Sequence, residues 1–327
     1  MRKMKRKILL SGTAALLLAA ALLLYWQNQK AQTRPLRIVM IQKAIDDTDF
    51  WTSLYKGGEM AAAEYDVELT ILGPKEESQT ERQHQMILDA IAEKPDAVAL
   101  APASFDETVP YAEKITEAGI TLVLMDSAME KEMGASMIAT DNFEAGYKMG
   151  EYMKQFVTSD TIIGIVGHVQ GTSTAVQREA GFRAGLGEAQ KQIASVVFCD
   201  SSSEKAYELT CGMLEEYPGM NMIVGLNEYS AVGAAQAVKE YTLPGSVHMA
   251  GFDSSKKEIQ LLEEGVFDAI VIQKPFNMGY LSIETAVKAV RGERVKRNID
   301  SGSELITKEN MYTEENQKLL FPFFGGE

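Results

Sequence analysis

Short, continuously apolar runs alternate with longer amphipathic stretches along almost all of residues 36–327, and this alternation restricts the fold more than any other feature. The runs predicted as strands are 36–41, 67–72, 97–101, 121–125, 161–166, 194–198, 222–226, 247–252 and 267–272. They are apolar throughout rather than at every second position, as strands covered on both faces are. Helical patterns lie between them over 50–63, 80–92, 108–118, 143–156, 174–190, 204–217, 229–240 and 278–290. Strand then helix, repeated, gives parallel sheets of the doubly wound kind. Roughly 290 residues exceed what one hydrophobic core usually holds, so two such units are expected. No Gly/Ser/Pro-rich linker separates them, which implies that the chain crosses between the units more than once.

A different signal precedes this body. Arg2, Lys3, Lys5, Arg6 and Lys7 stand directly before an apolar run from Ile8 to about Trp26. That run approaches the ~20 residues a helix needs to cross ~30 Å of hydrocarbon, and the basic cluster marks its cytoplasmic side. Everything after Gln27 is then expected outside the cytoplasm. Small residues suited to signal cleavage fall inside the apolar run or after Tyr25 and Trp26, and no cysteine near residue 27 offers a lipid anchor. The expectation is an anchor retained over residues 8–26, with a cleaved signal and a periplasmic or secreted body as the alternative.

Charge narrows the partners. The first 35 residues carry seven basic side chains and no acidic ones, which leaves 25 basic against 46 acidic in residues 36–327, a net of −21. Such a body repels nucleic acid and anionic lipid. Cys199 and Cys211 form no metal-ligand pattern and read as buried thiols, with a single bridge as the alternative. His84 and His248 lack metal-ligand partners at useful spacing, and no cofactor is indicated. There is no Gly-x-Ser-x-Gly turn, no His-Glu-x-x-His and no base and nucleophile pair, so an enzyme is not expected.

In open parallel sheets, ligands bind beyond the carboxyl ends of the strands. The residues there are 46–51, 102–105, Asp126 and Ser127, 168–172, Asn227 and Glu228, Phe252 and Asp253, and Gln273 with Lys274. Carboxylates and amides bond hydroxyl groups while aromatic faces cover C–H surfaces, a set suited to a neutral polyhydroxylated ligand. Asp126 and Asp253 compete with a helix-capping role, and Phe50 or Trp51 with a role in the core.

At these positions the chain resembles the periplasmic sugar-binding proteins of the ribose and galactose type, which serve ABC importers. Thr48-Asp49-Phe50-Trp51 stands where that family has Asn-Pro-Phe-Phe or a near relative, and Ala139-Thr140-Asp141-Asn142 resembles its Ser-Asp-Asn segment. Gly171-Thr172-Ser173 with Arg178-Glu179-Ala180-Gly181-Phe182 resembles its glycine turn and Arg-x-x-Gly-Phe helix. Leu226-Asn227-Glu228, Gly251-Phe252-Asp253 and Gln273-Lys274-Pro275 complete an ordered series from about Leu36 to Ile306.

The resemblance implies two Rossmann-like lobes joined by three crossing segments, with a sugar caught between them by hinge closure. One lobe would comprise 36–140 plus about 274–302, the other 141–273 plus about 303–327. Ligand contacts are expected from Thr48, Phe50, Trp51, Asp126, Thr140, Arg178, Asn227, Phe252, Asp253 and Gln273, and hinge roles from Asp141 and Lys274. Val176, Ala101 and Ser127 stand where relatives reaching for ribose carry arginine or asparagine, which points to a larger, less polar or modified sugar. The expected partner is an ABC importer permease, and the alternative is a membrane sensor such as a histidine kinase or chemoreceptor.

Overall fold

The computed structural model describes residues 34–46, 48–241 and 245–321. The predicted membrane run 8–26 lies outside them, and among the described residues no helix is long and apolar enough to cross a membrane.

The first sheet contains β1 (Leu36–Ile41), β2 (Val67–Leu72), β3 (Ala97–Leu100), β4 (Thr121–Met125), β5 (Ser136–Ala139) and β11 (Asn298–Asp300), in the order β11-β5-β4-β3-β1-β2 and parallel throughout. The second contains β6 (Ile163–Gly167), β7 (Ile193–Phe198), β8 (Met222–Gly225), β9 (His248–Phe252), β10 (Ala269–Gln273) and β12 (Ser303–Thr307), in the order β12-β10-β9-β8-β6-β7. It departs from the all-parallel expectation at one edge, where β12 runs antiparallel to β10. Both orders reverse at the first strand of the sheet, which opens a crevice at its carboxyl end.

The strands other than the polar edge strand β11 each supply two cores. Ile38, Met40, Ala97, Ala99, Val123 and Met125 pack on one side of the first sheet, and Val39, Ile41, Val98, Leu100, Leu122 and Leu124 on the other. Phe182 and Phe252 fill one side of the second sheet, with Phe267 and Met249 on the other. Two-faced burial at a side-chain period of two is the cause of the continuously apolar runs.

The helices α1 (Asp49–Tyr65), α2 (Thr80–Glu93), α3 (Val109–Glu117), α4 (Asn142–Met153), α5 (Ser173–Leu186), α6 (Ser203–Glu216), α7 (Glu228–Tyr241) and α9 (Pro275–Val290) lie in the regions where helical patterns were read. Sequence reading omitted α8 (Lys256–Glu263), α10 (Glu314–Leu320), β5, β11 and β12. These strands are short, and β11 (Asn-Ile-Asp) and β12 (Ser-Glu-Leu-Ile-Thr) are mostly polar edge strands whose identity comes from the neighbour they pair with.

The chain passes from one sheet to the other after β5, after β10 and after β11. Thr140, Gln273 and Ser301 meet there: Thr140 Oγ1 donates to Gln273 Oε1 at 2.8 Å and lies 3.4 Å from Ser301 Oγ. Asp141 caps α4 by accepting from the Glu144 N–H, while its own N–H donates to Asp300. Lys274 pairs with Glu304 at 3.1 Å.

Candidate functional site

The carboxyl ends of the two sheets face one another across a narrow cavity. Its first-lobe wall comes from the segments after β1, β2 and β4, and its second-lobe wall from those after β6, β8 and β9 and from the last residue of β10. The lobes are shut against each other. Tyr229 Oη donates to Asp46, Ser201 Oγ to Glu77 at 2.6 Å, the Ala128 N–H to Ser173 at 2.8 Å, and the Lys256 N–H to Asp49 at 3.0 Å.

Two aspartates take equivalent places. Asp126 follows β4 and Asp253 follows β9, and both have left-handed backbone, φ 63° and φ 93°. Their N–H groups continue the sheet, donating to Ile138 O and Val271 O, each at 2.9 Å. This geometry is costly for a residue bearing a Cβ and recurs where side chains are aimed at ligands. Asp126 is held by Lys43 at 2.6 Å and by the Ser127 hydroxyl at 2.9 Å. Asp253 accepts from Gln273 Nε2 at 2.7 Å and from the Glu228 N–H at 3.1 Å. Burial raises the Asp253 carboxyl above its ordinary range despite the nearby Arg178.

Arg178 is buried on α5. Its guanidinium lies over the Phe252 ring at 3.8 Å, its Nε donates to Asn142 Oδ1 and its Nη1 to Leu226 O, both at 2.8 Å. Asn227 accepts the Ser230 N–H at 2.9 Å, as a helix N-cap does, and points Nδ2 toward Ser201. Phe50 is half-buried at the cavity; Trp51 meets it edge-on at 4.9 Å and donates from Nε1 to Glu77 at 3.0 Å.

Of the ten residues expected to touch ligand, Thr48, Phe50, Trp51, Asp126, Arg178, Asn227, Asp253 and Gln273 line this cavity. Thr140 sits behind it at the crossings, and Phe252 is fully buried beneath Arg178. Lys43, Glu77, Thr174 and Tyr229 also line the cavity and were not picked out from the sequence. Lys43 comes two residues after β1, so the strand-end rule reaches it once the first strand's end is read closely. Glu77 lies in the loop after β2, whose far end carries no apolar cue.

Two lining groups lack a hydrogen-bond partner among the described residues. His168 bonds Thr174 through Nε2 at 2.8 Å, while its Nδ1 has none. Burial keeps this imidazole well below its ordinary range, helped by Arg178 and Lys43, and hence neutral. Glu228 Oε2 is the other, and burial, then Asp253, Asp49 and Asp46, push that carboxyl up to about 8. Glu77 is also raised, chiefly by burial.

A wider notch of about 400 Å³ opens beside the Lys274 crossing and shares Phe50, Asp253 and Gln273 with the cavity. It lacks the cavity's converging buried groups. Outside the cleft, His84 stacks on Tyr111 and His248 on Phe156, Cys199 and Cys211 are free thiols, and no group of three metal-ligating side chains occurs among the described residues.

A family profile described as "Periplasmic binding protein domain" matches residues 38–294. The chain is 27% identical over 272 residues to the D-ribose/D-allose-binding protein of Pseudomonas aeruginosa, across 81% of this chain and 85% of that one. It is 26% identical over 258 residues to the D-allose-binding periplasmic protein of Escherichia coli, across 75% and 82%. The structure of a sugar transporter from Clostridium phytofermentans matches with a TM-score of 0.79 at 40% identity, covering 84% of this chain and all of that one. An ABC transporter solute binding protein from Agrobacterium vitis with bound D-fucose matches with a TM-score of 0.82 at 28% identity, covering 87% and 99%.

Proposed function

Because the chain belongs to the periplasmic binding protein family, we propose that it captures a sugar or sugar-like polyhydroxylated ligand between its lobes and presents it to an ABC importer outside the cytoplasm. It works by binding and not by catalysis. The observation that carries this reading is the shut cavity, where carboxylates, two amides, an imidazole and an aromatic edge converge, with His168 Nδ1 and Glu228 Oε2 unpartnered. Groups of this kind exchange hydrogen bonds with sugar hydroxyls, and the low-dielectric surroundings make each unmade bond costly.

Contacts are assigned to Thr48, Phe50, Trp51, Asp126, Arg178, Asn227, Asp253 and Gln273. Thr140 and Phe252 support them from behind, and Asp141 and Lys274 act at the hinge. The lobes, 36–140 with 274–302 and 141–273 with 303–327, would close about the three crossings, because a ligand touching both is fully bound only when they meet. Isothermal titration of the full chain against pentoses, hexoses and deoxyhexoses is the test; failure of every carbohydrate to bind sinks the reading.

Residues 8–26 support a second feature, attachment to the membrane face. A tethered body also suits a sensor that presents its liganded state to a histidine kinase. N-terminal sequencing of the protein from membranes separates the two states: a start at residue 1 or 2 retains the anchor, and a start after residue 26 removes it.

A further inference from the structure

The cavity and its surroundings hold more acid than their bases offset. Lys43 is paired with Asp126, and Arg178 is occupied by Asn142, the Leu226 carbonyl and the Phe252 face, with Asp253 its strongest electrostatic partner. That leaves Glu228. Its N–H is spent on Asp253, it lines the cavity, its carboxyl meets the Ser255 hydroxyl while the buried Oε2 has no partner, and neither it nor Glu258 forms an ion pair among the described residues. Glu258 stands behind it on α8, fully buried. Its Oε2 accepts from the Ser255 N–H and hydroxyl at 2.9 Å, while its Oε1 has no partner. After burial, the groups acting most strongly on Glu258 are Glu228 and Asp253, and on Glu228 they are Asp253, Asp49 and Asp46 from the facing lobe. Five carboxyls thus converge where two buried oxygens lack donors. A cluster left this way disfavours its own ionisation until a cation enters.

Building on the sugar reading, we propose that Glu228, backed by Glu258 and Asp253, forms a subsite for a protonated amino group, so that the preferred ligand class is amino sugars. The hydroxyls of such a ligand use the amide and imidazole groups of the cavity, while its ammonium supplies the donors that Glu228 Oε2 lacks. An ammonium offers three donors and one positive charge, so a single substituent answers both the missing hydrogen bonds and the excess negative charge.

The experiment is calorimetric titration of the full chain with matched triads of gluco, galacto and manno configuration: the 2-amino-2-deoxy hexose, the parent hexose and the N-acetylated amine. In at least one triad the amine should bind tenfold or more tighter than its parent, and the N-acetylated form should lose that advantage. Glu228→Gln should bring the ratio of amine to parent affinity close to one. A parent hexose that binds as tightly as its amine in every triad overturns the subsite while leaving the sugar reading intact. An undiminished ratio in Glu228→Gln overturns the role of Glu228. Absence of binding by all members, with binding of no other carbohydrate, overturns both readings together.

Discussion

Asp253 concentrates the chemistry of the site in one residue. A left-handed backbone turns its carboxylate into the cavity, Gln273 and the Glu228 N–H hold the two oxygens, and Arg178 balances part of the charge. Asp253→Ala should abolish ligand-induced thermal stabilisation, with Asp253→Asn as the control because asparagine tolerates positive φ. Undiminished stabilisation in the alanine variant would remove Asp253 from the site. The buried acids also set a pH dependence. Glu228, Glu77, Asp253 and Glu258 are all raised by burial, so each binds its proton more tightly folded than unfolded. Their contribution is complete below the ordinary carboxyl value near 4.5 and is lost as pH rises through about 8, the folded value of Glu228. His168, whose folded value is lowered, acts in the opposite sense, but only below its ordinary 6.5. The melting temperature of the ligand-free protein should therefore fall between pH 6.5 and 8, and Glu228→Gln should flatten that slope; a rise over this interval contradicts the burial argument.

At the scale of elements, glycine sets the distances. A Cβ at Gly181 on α5 would lie 2.0 Å from the Phe143 carbonyl on α4, and one at Gly146 would lie 2.2 Å from the Arg178 carbonyl. The α1 and α9 pair repeats this in the first lobe, with Gly279 against the Leu54 carbonyl at 1.9 Å. Helix backbones this close leave no room for a methyl group. The α4 and α5 contact also seats Arg178, whose partner Asn142 is the first residue of α4. Gly181→Ala should destabilise the fold by about 1–3 kcal/mol through overpacking and weaken ligand binding in parallel. Urea midpoints read the first effect and titration the second; an unchanged midpoint would show that the helices part freely.

Across the whole molecule, the crossings and the cleft form one hydrogen-bonded system. Thr140 Oγ1 reaches Gln273, which reaches Asp253, and the Thr140 carbonyl accepts from Asn142, which accepts from Arg178. A rearrangement at the hinge is thereby felt at both principal second-lobe groups. The Ala128 to Ser173 bond exists only with the lobes shut. Removing it by Ser173→Ala should cost about 1 kcal/mol, or roughly fivefold in affinity, expressed as faster dissociation. Small-angle scattering of the native chain should show a smaller radius of gyration on saturation with ligand, and identical profiles with and without ligand would exclude hinge closure.

The sequence by itself determined the doubly wound class, the order of most elements and eight of the residues around the cavity. Two-faced burial writes itself into apolar runs, and the ligand position in such sheets follows from strand ends. It did not reveal β5, which is only four residues long, nor β11 and β12, because polar edge strands gain their conformation from the neighbour they pair with. Nor did it reveal that Lys43 is consumed by Asp126, that Phe252 lies under Arg178 instead of facing the cavity, or that Glu228 Oε2 has no partner. Those facts depend on which side chains from distant segments arrive at the same few ångströms, and only the packing of one lobe against the other decides that.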